Sequence, residues 1–277
     1  MVMEKNREPR QWGGLDAGRA GAETASMLQP AVTAAVLLIG DELLSGRTRD
    51  VNLQAIATFL APLGVSVMEA RVAPDDQAEI VAALNALRAR YTYVFTTGGI
   101  GPTHDDITAD AVAAAFGVGI SEREDALAIL RRRYEDKDLT PARRRMARIP
   151  DGAILIANPT SGAPGFKTGN VFTLAGVPAI ARAMLEDCLP HIEGGVVVAS
   201  RTLRGKGLRE GAFGDALGEI AARHPAVSIG SYPWFGPEGY GAHLVARGAD
   251  AEALEAAYDE LKALIAAQGV EPEDVDS

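Results

Sequence analysis

Short apolar runs alternate with helical spacings through the first part of the chain. Ala34–Ile39, AAVLLI, is continuously apolar and reads as a strand buried on both faces. A helix is predicted from near Asp50, with Leu53, Ile56, Ala57 and Leu60 on one face and Gly64 as its stop. Val65–Val72 reads as a second strand. Asp76 and Glu79 have the spacing of a capping box, opening a helix with Ile80, Ala83, Leu84 and Leu87 on one side. Tyr93–Thr97 is aromatic and β-branched, which suits a third buried strand. Thr108 is placed to N-cap a helix over Ala109–Phe116, and Gly117 to end it in a left-handed conformation. Strand and helix alternate across short links, so the predicted fold class is α/β, three layers around a parallel-type sheet.

The pattern then changes. Val118 to Pro150 reads as charge-rich helices containing Arg131-Arg132-Arg133 and Arg143-Arg144-Arg145. These arginines read as a solvated helix face, or as one or two that reach a phosphate or carboxylate. Ala153–Ala157 is a predicted strand, followed by an irregular Gly- and Pro-rich loop over Asn158–Phe166. Val171–Leu174 is another strand, and Pro178 sits where a helix start tolerates proline. After Gly194-Gly195 the order becomes strand, helix, strand, strand, helix: Val196–Leu203, Glu210–Arg223, Val227–Tyr232, Tyr240–Arg247 and Asp250–Ala267. That order predicts a small α+β module with helices on one face of an antiparallel sheet. Trp234 and Phe235 are expected on its hairpin, as an interface or core plug. The predicted organisation is a flexible leader over 1–30, an α/β domain over 31–193, the α+β domain over 194–270 and an acidic tail over 271–277.

Candidate chemistry gathers at strand ends. Ligands of open α/β sheets bind beyond the carboxyl ends of the strands. Asp41-Glu42 and the turn Gly98–Asp106 both follow strands, so they are expected at one sheet edge. Gly98, Gly99 and Gly101 lead into the helix near Thr108, which makes an anion cradle of free N–H groups. The neighbouring acids Asp105 and Asp106 would repel a bare anion, but fit a divalent cation placed between them and a phosphate. The turn is neither a dinucleotide nor a P-loop fingerprint. Ser161 and Gly176 lie in other loops expected at the same edge. His104 reads as an exposed turn histidine.

Composition narrows the partners. The 277-residue chain carries a formal net charge of -10, which disfavours general nucleic-acid or anionic-membrane binding. Its single cysteine, Cys188, excludes an internal disulfide and fits a reducing cytoplasm.

Four ordered motifs carry a resemblance: GDELLSG at Gly40–Gly46, TTGGIGPTHDD at Thr96–Asp106, SGAPGF at Ser161–Phe166 and AGVP at Ala175–Pro178. They resemble the MoaB/Mog molybdopterin-binding fold, and most of all its competence/damage-inducible protein A (CinA) branch. The later module is similar to the middle domain of that branch and to the corresponding region of eukaryotic FAD synthases. The resemblance implies a dimer or trimer that binds a phosphorylated nucleotide or pterin. It also implies a divalent metal (Mg, Mn or Co) held by Asp41, Asp105 and Asp106, with Asp41 and Asp106 catalytic. Thr97, Gly98, Gly99, Gly101, Thr103, Thr108, Ser161, Gly162, Gly165 and Gly176 are the implied phosphate and substrate contacts. The activity expected is nucleotide pyrophosphatase chemistry on ADP-ribose or FAD. Molybdopterin binding or adenylyl transfer is the alternative, and a non-catalytic binding module the third reading. Ala175 departs from the usual proline of its motif. The expectation is a short form without the C-terminal deamidase domain, so deamidation is not transferred.

Overall fold

A computed structural model describes residues 31–275, so the expected leader over 1–30 lies outside the described residues. The first strand is β1 (Thr33–Ile39), followed by a single helical turn, α1 (Asp41–Leu44), and α2 (Asn52–Leu60). Next come β2 (Ser66–Ala73), α3 (Gln77–Arg90), β3 (Tyr93–Thr97) and α4 (Thr108–Phe116). Asp50 and Asp76 cap α2 and α3 by accepting backbone N–H bonds at 2.9–3.1 Å. Thr108 is not the cap expected of it. It lies inside α4, buried, and its hydroxyl donates to the Gly98 carbonyl at 2.8 Å.

The segment expected as charged helices holds more than helix. β4 (Ile120–Glu122) precedes α5 (Glu124–Arg131) and α6 (Pro141–Arg144), and β5 (Arg148–Pro150) returns to pair antiparallel with β4. β6 (Ile154–Ile156) follows. The loop after it is shorter than predicted, because β7 (Gly165–Thr168) forms a hairpin with β8 (Val171–Leu174). α7 (Pro178–Leu185) starts at Pro178 as expected.

The main sheet has the order β2-β1-β3-β8-β7-β6. β2, β1, β3 and β8 run parallel, whereas β7 pairs antiparallel with both neighbours. The parallel sheet predicted from alternation is therefore mixed. The β7–β8 turn needs only Gly169-Asn170, too short for a crossover helix. The period-2 alternation of β1 divides its side chains between two cores. Ala35, Leu37 and Ile39 pack with α3 and α4, while Ala34, Val36 and Leu38 pack with α2 and α7. Cys188 belongs to the second core, and burial pushes its thiol up to about 12, so it packs rather than reacts.

The second module comprises β9 (Ala199–Lys206), α8 (Glu210–Arg223), β10 (Ser228–Gly236), β11 (Gly239–Gly248), α9 (Ala251–Ala267) and β12 (Pro272–Val275). Its antiparallel sheet has the order β10-β11-β9-β12. Phe213 and Ile220 of α8 and Leu261 and Ile265 of α9 share one core against it. Two expectations are corrected. Residues 272–275 of the supposed tail form an edge strand on β9, with Glu273 facing Arg204 and Asp274 facing Lys262. Trp234 and Phe235 lie within β10, where Arg204 covers the Trp234 ring at 4.4 Å and Phe235 is exposed.

Candidate functional site

The carboxyl ends of β1, β2, β3, β6 and β8 open onto one cavity of about 610 Å³. Gly40 and Glu42 follow β1, Asp75 follows β2, and the turn after β3 adds Gly98, Gly99, Ile100, Gly101, Pro102, Asp105 and Asp106. The loop after β6 adds Asn158 and Ser161, and the turn before α7 adds Gly176 and Val177. Two acidic stretches far apart in sequence thus meet at one edge, as strand order requires.

The glycine turn is demanded by the protein's own packing. Gly98 has φ +104°, and a Cβ there would stand 2.2 Å from the Ile39 carbonyl oxygen. Gly99 has φ +67°, and its Cβ would stand 2.1 Å from the Thr108 hydroxyl. The Thr108 N–H donates to the Gly99 carbonyl at 2.9 Å, which ties the turn to α4. Among the described residues, the N–H groups of Gly99, Ile100 and Gly101 meet no protein acceptor. Three free donors on the cavity wall are what an oxyanion needs.

The carboxylates fall into two groups. Asp106 turns back on its own loop and accepts from the Thr103 N–H at 2.7 Å and hydroxyl at 2.5 Å. Asp41 and Asp75 exchange bonds: the Asp41 N–H donates to Asp75 Oδ2 at 3.0 Å, and the Asp75 N–H donates to Asp41 Oδ1 at 3.4 Å. Burial pushes the Asp75 carboxyl above the usual carboxylate range, and the charges of Asp41, Glu42 and Asp105 add to the rise. Asp105 is exposed. His104 is fully exposed, its Nδ1 3.9 Å from Asp105 Oδ1.

Of the residues predicted from sequence, Gly98, Gly99, Gly101, Asp105, Asp106, Ser161 and Gly176 line the cavity. Thr97 and Thr108 are buried beneath it, and Thr103 braces Asp106. Gly162 faces the Arg133 stem, and Gly165 packs inside β7 against Met184 and Thr173. Asp41 reaches the rim only through Asp75. Asp41, Asp105 and Asp106 are not assembled into one ligand set. Among the described residues, no three Asp, Glu, His or Cys side chains converge to hold a metal ion. The reason is local: Asp106 is spent on Thr103, and Asp41 faces Asp75. The carboxylates that line the cavity, Glu42, Asp75, Asp105 and Asp106, offer only oxygen. Oxygen is the donor type of hard cations such as Mg²⁺, not of metals that seek nitrogen or sulfur.

Sequence reasoning missed three residues. Asp75 follows β2 in a stretch read only as a helix start, though strand order alone places it at this edge. Asn158 is buried and folds its loop: its Oδ1 accepts from the Thr160 and Ser161 N–H groups, while Nδ2 donates to Ser161 Oγ at 2.6 Å and the Ala163 carbonyl at 2.8 Å. Asn52 of α2 donates to the Gly176 carbonyl at 2.8 Å and so pins the turn before α7. The N-x-x-S spacing of Asn158 and Ser161 was a readable signal for such a local turn; Asn52 gave none.

Fold and site together define a class. Residues 35–194 match the family described as probable molybdopterin binding domain, and the chain belongs to it. Its first domain has the MoaB/Mog-like α/β fold with a mixed sheet. Residues 198–274 match a second family, the FAD synthase middle domain. Among individual proteins, the chain is similar to a CinA-like protein of Gemmatimonas aurantiaca, 38% identical over 67% of this chain and 47% of that one. A CinA-like protein of Citrifermentans bemidjiense is 37% identical over 84% of this chain and 58% of its own length. The chain therefore spans about half the length of these curated relatives. The solved structure of the protein CinA with unknown function from Thermoplasma acidophilum covers 58% of this chain and 98% of its own, at 37% identity and a TM-score of 0.55. No helix among the described residues is long and apolar enough to cross a membrane.

Proposed function

We propose that the cavity binds a phosphorylated nucleotide and hydrolyses its diphosphate, with ADP-ribose or FAD as the substrate type. The observation that carries this reading is the joining of opposites in one cavity: the three free N–H groups of Gly99–Gly101 beside the acidic rim of Glu42, Asp75 and Asp105. A bare anion is repelled by such a rim, and a bare cation has no use for the N–H groups. A diphosphate carrying Mg²⁺ or Mn²⁺ satisfies both. Glu42 and Asp105 would hold the hydrated cation, and the Gly99, Ile100 and Gly101 N–H groups would donate to phosphate oxygens. When bound, the cation neutralises diphosphate charge and acidifies water. Asp75 Oδ2 is engaged by Asp41, which leaves Oδ1 to accept the proton of an attacking water. The water oxygen forms a bond to phosphorus, the bridging P–O bond breaks, and two monophosphates leave. This reading includes a homo-oligomer, dimer or trimer, in the cytoplasm.

The family match favours a second reading, in which the same cradle holds a molybdopterin phosphate for retention or adenylyl transfer. The two separate on product. ADP-ribose and FAD are incubated with Mg²⁺, Mn²⁺ or Co²⁺, and monophosphates are detected with a coupled phosphatase, for wild type, Asp75→Asn and Asp106→Asn. Metal-dependent turnover lost in Asp75→Asn is expected. No turnover with any cation defeats the hydrolase reading.

A further inference from the structure

The segment between α5 and β5 supplies a wall that the phosphate chemistry does not use. Tyr134 and Arg143 both line the cavity, and the Arg143 guanidinium lies 4.4 Å from the centre of the Tyr134 ring. Arg143 Nη1 donates to the Asp138 carbonyl at 2.6 Å, so the guanidinium is held in place without a carboxylate partner. Of the other arginines of the two triplets, Arg131 pairs with Glu124 and Arg144 with Glu122, while Arg145 donates to the Asp106 carbonyl. Tyr134 also borders an open groove shared with Arg133 and Gly162. Gly162 follows β6, at the opposite end of the sheet from β2 and Asp75. Along the sheet edge the cavity thus runs from Asp75 and Glu42 at the β2–β1 end, through the Gly99–Gly101 N–H groups and Asp105 of the β3 turn, to a tyrosine–guanidinium stack towards the β6 end.

We infer that the Tyr134–Arg143 stack is the platform for a planar heteroaromatic ring carried by the phosphorylated ligand. A guanidinium already stacked on an aromatic ring presents a flat, fixed cationic surface, on which a base or pterin stacks without further ordering. The platform fixes the ligand's direction. The ring lies at the β6 end, its first phosphate meets the Gly99–Gly101 donors, and any further phosphate points to Asp75. This rests on the phosphate assignment above, but it is read by binding and needs no turnover.

The test is titration calorimetry with AMP, with ribose 5-phosphate and with a pterin monophosphate, in Mg²⁺. Wild type is expected to prefer a ring-bearing phosphate over ribose 5-phosphate by about tenfold or more, the scale of one stacked base. Tyr134→Leu keeps the apolar packing and Arg143→Gln keeps a polar side chain; both are expected to reduce that preference to about twofold, with ribose 5-phosphate affinity unchanged. Tyr134→Phe, which retains the ring, keeps it. Preference for AMP over the pterin supports the platform together with the nucleotide reading. Preference for the pterin, lost in the same variants, supports the platform and defeats the nucleotide reading alone. Equal affinity of wild type for all three phosphates, or full preference in both variants, overturns the inference.

Discussion

Gly99→Ala should destabilise the first domain in a way that depends on Thr108. An alanine held at φ +67° costs about 1–2 kcal/mol in backbone strain. Its Cβ would stand 2.1 Å from the Thr108 hydroxyl oxygen and 3.2 Å from the Thr108 Cβ. Relieving such overlap in a packed site costs about 1–3 kcal/mol more. Thr108→Ala alone removes a buried 2.8 Å bond to the Gly98 carbonyl, worth about 1–3 kcal/mol when the acceptor is left unpaired. In the double variant the oxygen that the new methyl group would strike is gone, while the strain and the lost bond remain. Its loss should therefore fall short of the sum of the single losses by about 1–3 kcal/mol, the overlap contribution. Urea unfolding followed by circular dichroism measures all three variants. Losses that add within about 0.5 kcal/mol would refute the claim that Thr108 is what forbids a side chain at position 99.

Burial and the surrounding carboxylates raise the folded-state pKa of Asp75, so its contribution to stability is full below its unfolded value of about 3.9 and is lost as pH rises through the folded value. Asp75→Asn should raise the thermal midpoint at pH 7, with the gain fading below about pH 4, and a pH-independent difference would count against this. Removing residues 271–277 strips β12 from β9 and takes away the Asp274 partner of Tyr258 and Lys262. The thermal midpoint of the second module should fall, on a loss of about 2–3 kcal/mol from a few hydrogen bonds, and an unchanged midpoint would return this segment to a mere acidic tail.

Much of the architecture was legible because burial imposes a period. The unbroken apolar run of β1 could only be a strand between two cores, and its alternate side chains do divide between them. Strand–helix alternation placed Asp41-Glu42 and the Gly98 turn at one edge without any contact being known. The elements missed carry no apolar period. β12 is an acidic edge strand whose side chains face arginine and lysine, and β4–β5 is a three-residue pair inside charged sequence. β7 hid in a Gly-rich segment because its burial comes from the paired strand β8, at Thr173, and from Met184 of α7.

The sequence by itself determined the two-module order, the helix start near Asp50, the cap at Asp76, and the glycine turn that gathers free N–H groups. These depend on local backbone chemistry and on periodicity, which neighbouring residues express without outside help. Tertiary structure decided how the acids are used. Asp106 and Asp41 look equivalent to Asp75 and Glu42 in one dimension. Only the fold ties Asp106 to Thr103 and Asp41 to Asp75, and places Glu42, Asp75, Asp105 and Asp106, but not Asp41, on the cavity. Likewise it is the fold that sets Arg143, out of two arginine triplets, on the cavity wall against the Tyr134 ring, because only chain folding brings those two side chains together.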